Sequence, residues 1–149
     1  MTKKKENNES DLDSVYELDA QIGFLLRRAH QRHVSIFKEY MTHDLTPQQL
    51  AVLARLNEVE AVSQNELGRQ TAMDQSTING VVRRLLKRGL LLKKHDDNDK
   101  RRIVLELSDE GKLVFQEVFE TAQNISKMTL QPLKPQKRLE LLKLLELIS

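Results

Sequence analysis

The chain has 149 residues, 39% hydrophobic and 31% charged, which suffices for one domain with a real core and demands no second. The formal net charge is only +2, so any basic surface must be local, and the lack of cysteine excludes disulfides, thiolate metal sites, cysteine nucleophiles and thiol-based redox sensing. A reducing cytoplasm is the expected compartment. The basic start, MTKKKENNESDLDS, runs into Glu, Asn and Asp with no apolar stretch, so no secretion signal and no membrane span are expected there.

Residues 1–11 read as a disordered tail. From Asp13 to Met41 the apolar residues Val15, Leu18, Ile22, Leu25, Leu26, Ala29, Ile36, Phe37 and Tyr40 recur every three or four positions, which predicts one long amphipathic helix. Tyr16, Phe24, Phe37 and Tyr40 all lie on it, so it is expected to pack against more than one neighbour.

Thr46-Pro47-Gln48-Gln49 has capping-box spacing with proline at the first helical position, and predicts a helix from Pro47 to about Glu58. Ser63-Gln64-Asn65-Glu66 repeats the spacing and opens a short helix to Arg69 or Gln70. Asp74 is placed to cap a third helix, Gln75 to Arg88, which Gly89 would end. Leu90 to Lys94 and Arg102 to Leu107 are β-prone arms of a hairpin around the charged stretch His95-Asp96-Asp97-Asn98-Asp99-Lys100-Arg101. Ser108 then caps a helix running to Pro132, and Pro135 starts a last one. That last helix carries seven large aliphatics in ten residues (139–148), more than one face can hold. Burial in a dimer, together with the long first helix, is the expectation.

The predicted fold is mainly α with a small β-hairpin wing: a winged helix-turn-helix at 45–108 and helical dimerisation regions at 12–44 and 109–149. In such a unit the last helix of the pair enters the DNA major groove. On the wheel of Gln75 to Arg88, Ile78, Val81, Val82, Leu85 and Leu86 take one side, while Ser76, Thr77, Asn79, Gly80, Arg83, Arg84 and Lys87 share the other, which has no carboxylate. Small polar groups at the helix start (Gln75, Ser76, Thr77, Asn79) suit base edges, with Asn and Gln able to pair bidentately with adenine; Arg83, Arg84 and Lys87 suit phosphates or guanine. Residues 69–102 hold ten cations against four carboxylates, a local +6, whereas residues 1–20 carry −3. At the wing, Lys100, Arg101 and Arg102 supply cations at the tip, Asp99 is placed to hold Arg101 by a salt bridge, and Asp96, Asp97 and Asn98 favour the turn.

Several stretches resemble the MarR family of bacterial transcription regulators: LTPQQLAVL from Leu45, SQNEL from Ser63, DQSTI from Asp74, RGL from Arg88, DKR from Asp99 and LSDEG from Leu107. They stand in the family's order, and the resemblance covers about residues 13–149. It implies an α-helical homodimer joined by its first and last helices that binds a pseudo-palindromic operator, usually as a repressor released by a small ligand. It also implies that Asp99 and Arg101 match the family's Asp-x-Arg, the Asp orienting the Arg as the wing tip enters the minor groove. Arg102 departs from the small residue often found there. The family's peroxide and thiol sensors need a reactive cysteine, which this chain lacks.

The first helix holds the clue to an effector. His30 and His33 lie in the middle of its apolar arc, with Phe37 and Tyr40 nearby and Arg32 at the edge. One reading makes them hydrogen-bonded core or interface residues. The other makes His30, Arg32, His33, Phe37 and Tyr40 the lining of a pocket for a small aromatic carboxylate, with charge-assisted donors and a stacking ring. The run from Gly23 to His33 looks similar to family members controlling breakdown of aromatic acids, including nicotinic-acid-type compounds. A metal-responsive regulator would need ligands beyond His30 and His33, and only His43, His95 and scattered carboxylates are available, so neither metal nor cofactor is expected. No glycine-rich phosphate loop and no nucleophile motif is present, so an enzyme is not expected. The competing class is a winged helix that binds a protein partner instead of DNA.

Overall fold

The structure, a computed structural model, describes residues 15–149. The tail expected at 1–11 lies outside the described residues, as does the start of the long helix at Asp13. A 3-10 turn at Leu18–Ala20 precedes α1 (Ile22–Tyr40). The first helix therefore begins nine residues later than its periodicity predicts. Gln21 adopts extended backbone with ψ 131°, and Val15, Tyr16 and Leu18 stay exposed.

The capping signals act as expected. α2 (Pro47–Val59) opens with the full capping box, the Thr46 hydroxyl accepting from Gln49 N at 3.2 Å and the Gln49 side chain accepting from Thr46 N at 3.1 Å. α3 (Gln64–Gln70) has only half a box. Ser63 accepts from Glu66 N, but the Glu66 carboxylate turns away to Arg69 and Gln70. α4 (Gln75–Lys87) starts on Asp74, which accepts from Thr77 N at 2.7 Å. It ends in a Schellman turn: Gly89 sits at φ +72°, its N–H donates to Leu86 O, and Leu90 N–H donates to Leu85 O, each at 3.0 Å.

The wing gains a strand that the sequence reading lacks. β1 (Ala61–Val62) pairs antiparallel with β3 (Ile103–Leu107), which pairs in turn with β2 (Leu91–His95), giving the order β1-β3-β2. The hairpin register runs from Leu91 opposite Leu107 to His95 opposite Ile103, one residue off the expected arms. Two residues of strand carry no alternation to read; β3 supplies the pairing that makes them one.

Helix α5 (Asp109–Leu130) is capped by Ser108, and α6 (Pro135–Leu147) follows. Leu53, Leu56, Leu67, Ile78, Val82, Leu85, Leu91, Leu105 and Val118 form one buried cluster that unites α2, α3, α4, the sheet and the first half of α5. The junction between α5 and this unit is rigid for a steric reason. A Cβ on Gly111 would come within 2.0 Å of the Leu90 carbonyl oxygen, which itself accepts from Ser108 N. The helix-turn-helix is also closely packed, though less so, because a Cβ on Gly68 would meet Ile78 Cγ2 at 3.2 Å.

Helix α1 packs along α5, away from the winged unit. Among the described residues, α6 has no buried residue: Leu139, Leu142, Leu144, Leu147 and Ile148 are exposed, as are Ile22, Leu25 and Leu26 of α1. The alternative in which the last helix is wrapped by its own domain does not hold. Among the described residues, no helix is long and apolar enough to cross a membrane.

Candidate nucleic-acid interface

The core dictates which side of α4 faces outward. Ile78, Val81, Val82 and Leu85 are buried, and this leaves Gln75, Ser76, Asn79, Arg83, Arg84 and Lys87 exposed, with Thr77 half-buried beside its cap. The Asp74 carboxylate is held below the usual aspartate range, first by the Thr77 backbone N–H. It is therefore ionised and fixed at the helix start, where negative charge complements the helix dipole.

At the wing tip, two aspartates make the turn by bonding their own backbone. Asp96 accepts from Asn98 N and Asp99 accepts from Arg101 N, each at 3.0 Å, while Asp96 N and Arg102 O close the loop at 2.9 Å. This corrects the expected salt bridge. Among the described residues, the Asp99 side chain meets the Arg101 main chain and not its guanidinium, because the N–H two residues on lies within reach without ordering a long side chain. The guanidinium that does find a carboxylate is that of Arg102, 3.9 Å from Asp96.

The cations divide into two sets. Lys94 is paired with Glu106 at 2.7 Å, a bond that raises its pKa, and Arg69 is paired with Glu66. Arg83, Arg84, Lys87, Lys100 and Arg101 form no ion pair among the described residues. Five unneutralised cations on the exposed side of one helix and on the adjoining wing suit an anionic partner.

Gln64, at the first turn of α3, is a residue that sequence reading missed. Its Nε2 donates to Asn79 Oδ1, which also accepts from Gln75 Nε2 at 3.2 Å. Nothing in the spacing of residues 64 and 79 marks the contact, which depends on how closely α3 packs on α4.

The residues expected around an effector lie on α1, but they are not equivalent. Arg32 donates to the carbonyls of Thr129 at 2.6 Å and Met128 at 3.1 Å, closing the C-terminal end of α5. His33 Nδ1 lies 2.9 Å from Thr129 Oγ1. That hydroxyl donates to Ile125 O at 2.9 Å, so it accepts from the ring, which puts the His33 proton on Nδ1 and leaves Nε2 with its lone pair. Burial, then the charge on His30, lowers the His33 pKa. His30 is exposed, Phe37 is buried with its ring 6.4 Å from that of His33, and Tyr40 lines a separate open cleft with Thr121, Asn124, Lys127 and Met128. A single protomer thus does not gather all five around one enclosed cavity. His43 pairs with Glu117 at 2.8 Å and His95 ends β2, away from His30 and His33; among the described residues, no group of three or more potential metal ligands comes together.

These features have counterparts among known proteins. The MarR family profile matches residues 43–102. The transcriptional repressor NicR of Pseudomonas putida is 35% identical over 147 residues, which cover 97% of this chain and 93% of NicR. A probable transcriptional regulator from Pseudomonas aeruginosa superposes with TM-score 0.85 at 42% identity, covering 89% of this chain and all of that one. Bordetella bronchiseptica BpsR, a protein whose DNA binding is regulated by 6-hydroxynicotinic acid, superposes with TM-score 0.85 at 37% identity, covering 91% and 97%. The chain belongs to the MarR family of winged-helix, DNA-binding transcription regulators.

Proposed function

We propose that the chain is a dimeric repressor that binds a pseudo-palindromic operator and is released from it by a small aromatic carboxylate of the nicotinate type. Residues 45–108 form its DNA-binding unit, and residues 12–44 and 109–149 form its dimerisation region. The observation that carries the DNA half is the set of unpaired cations Arg83, Arg84, Lys87, Lys100 and Arg101 beside the polar helix start Gln75, Ser76, Thr77 and Asn79. Asp99 shapes the wing tip, and Arg102, partly engaged by Asp96, adds a phosphate contact. The exposed leucines of α6 and the exposed apolar start of α1 support the dimer, since a monomer would leave both in water.

The likeness to BpsR supports the effector class. His33 supports it chemically: a neutral ring with a free Nε2 lone pair accepts from a ring hydroxyl or ring N–H, and His30 beside it supplies a donor for a carboxylate. Arg32, Phe37 and Tyr40 shape the α1–α5 seam around them. The test is fluorescence anisotropy with operator duplex recovered from the genomic DNA bound to the protein, titrated with 6-hydroxynicotinic acid. Release by the acid, but not by buffer of equal ionic strength without it, is expected; an unaltered complex would remove the nicotinate-type effector.

A further inference from the structure

Resting on the reading of α4 as the DNA-reading helix, we infer that Gln64 is a specificity-determining positioning residue. It turns the Asn79 amide so that only N–H groups face the duplex, selecting guanine where an unconstrained asparagine would take adenine. The argument begins with lone pairs. A carbonyl oxygen has two, and both of those on Asn79 Oδ1 are occupied, by Gln64 Nε2 from α3 and by Gln75 Nε2 one turn back on α4 at 3.2 Å. Asparagine pairs bidentately with adenine by donating from Nδ2 to N7 and accepting at Oδ1 from the N6 amino group. The second half of that pair is blocked here.

What Asn79, an exposed residue, retains is Nδ2 with two hydrogens. Guanine is the base that offers two acceptors, N7 and O6, on one major-groove edge; thymine offers one and a methyl group. The bond from Gln75 stays within α4 and follows that helix wherever it goes. The bond from Gln64 crosses between helices that pack closely where Gly68 meets Ile78, so it ties the Asn79 amide to α3 as well as to its own helix.

The experiment is selection from randomised duplexes with the full-length wild type, Asn79→Ala, Gln64→Ala and Gln64→Glu, followed by anisotropy on the selected operators. Asn79→Ala identifies the position read by the amide as the one whose preference it erases. The wild type is expected to hold a G·C pair there and to prefer it over A·T by roughly fivefold or more. Gln64→Ala, which frees one lone pair of Oδ1, should bring that ratio towards one. Gln64→Glu, an acceptor that must bind Nδ2, should turn the amide round and favour A·T; if the alanine variant does not fold, this reversal decides alone. An A·T pair at the position in the wild type, no position altered by Asn79→Ala, or a preference indifferent to both Gln64 variants overturns the inference while leaving DNA binding intact. Failure of the wild type to select any duplex removes the DNA reading, and this inference with it.

Discussion

Arg88, the residue that closes α4, donates from Nη2 to the His43 carbonyl at 2.5 Å. Its Nη1 adds contacts to the Asp44 carbonyl at 3.3 Å and to Gln49 Oε1 at 3.4 Å. His43 and Asp44 both sit at positive φ, 59° and 50°, in the connection between α1 and α2. The fork of one guanidinium thus holds an uncommon backbone turn against the end of α4, and ties the α1–α2 connection to that helix. Arg88→Ala should lower the free energy of unfolding by about 1 kcal/mol, read by urea denaturation, because the contacts are partly exposed. Arg88→Lys should restore little of it, since an ammonium cannot span the three acceptors. Unchanged stability in both variants would deny the clamp any role.

At the wing, Arg101→Ala should weaken operator binding by about 1–3 kcal/mol while leaving the dimer intact, as seen by anisotropy and sedimentation. Asp99→Ala should cost less. The aspartate acts by shaping the turn around Arg101 N, and not by holding the guanidinium. Equal losses from the two substitutions would restore the salt-bridge account.

Asp74 gives a signed pH dependence. Its carboxyl titrates below its ordinary 3.8 in the fold, so the charged cap stabilises fully above that value and is lost as the pH falls through the lowered one. Asp74→Asn keeps a capping oxygen but does not titrate. The loss of stability as the pH falls below 3.8 should therefore be shallower in Asp74→Asn than in the parent. Superimposable profiles would show that the cap contributes nothing to acid sensitivity.

His33 carries the complementary prediction. Because burial lowers its pKa from the ordinary 6.5, the neutral ring stabilises the fold above that value, and stability declines as the pH falls below it. His33→Gln should remove this part of the decline. In thermal-shift titrations with 6-hydroxynicotinic acid, His30→Ala and His33→Ala should show smaller stabilisation than the parent. Responses equal to the parent's would take both histidines out of the effector site.

The helix boundaries set by capping residues were legible because their signals are local, whereas periodicity alone put the start of the first helix nine residues early. Thr46, Asp74, Ser108 and Gly89 each act on N–H groups or carbonyls within a few residues, so their spacing alone reveals them. The exposed face of α4 was legible for the same reason, since helical period sorts Ile78 and Val82 from Asn79 and Arg83. β1 was not, because Ala61 and Val62 are a strand only by pairing with Leu105 and Glu106. Nor were the partners of Asp99 and Gln64. Asp99 had two donors on the same residue to choose between, and the nearer backbone N–H took it. Gln64 reaches Asn79 through the packing of two helices, a distance that no sequence period encodes. Arg32 bonds the end of α5 and His33 bonds Thr129 through Nδ1, contacts set by how α1 packs on α5 and carried by no sequence period.

The salt dependence of duplex binding tests the central claim most directly, namely that the unpaired cations of α4 and the wing hold phosphates. If the two protomers together neutralise about six phosphates or more, affinity for the operator should fall on the order of a thousandfold between about 50 and 200 mM salt, linearly on logarithmic axes. Affinity that is flat with salt, or absent at the lowest salt, would contradict the account.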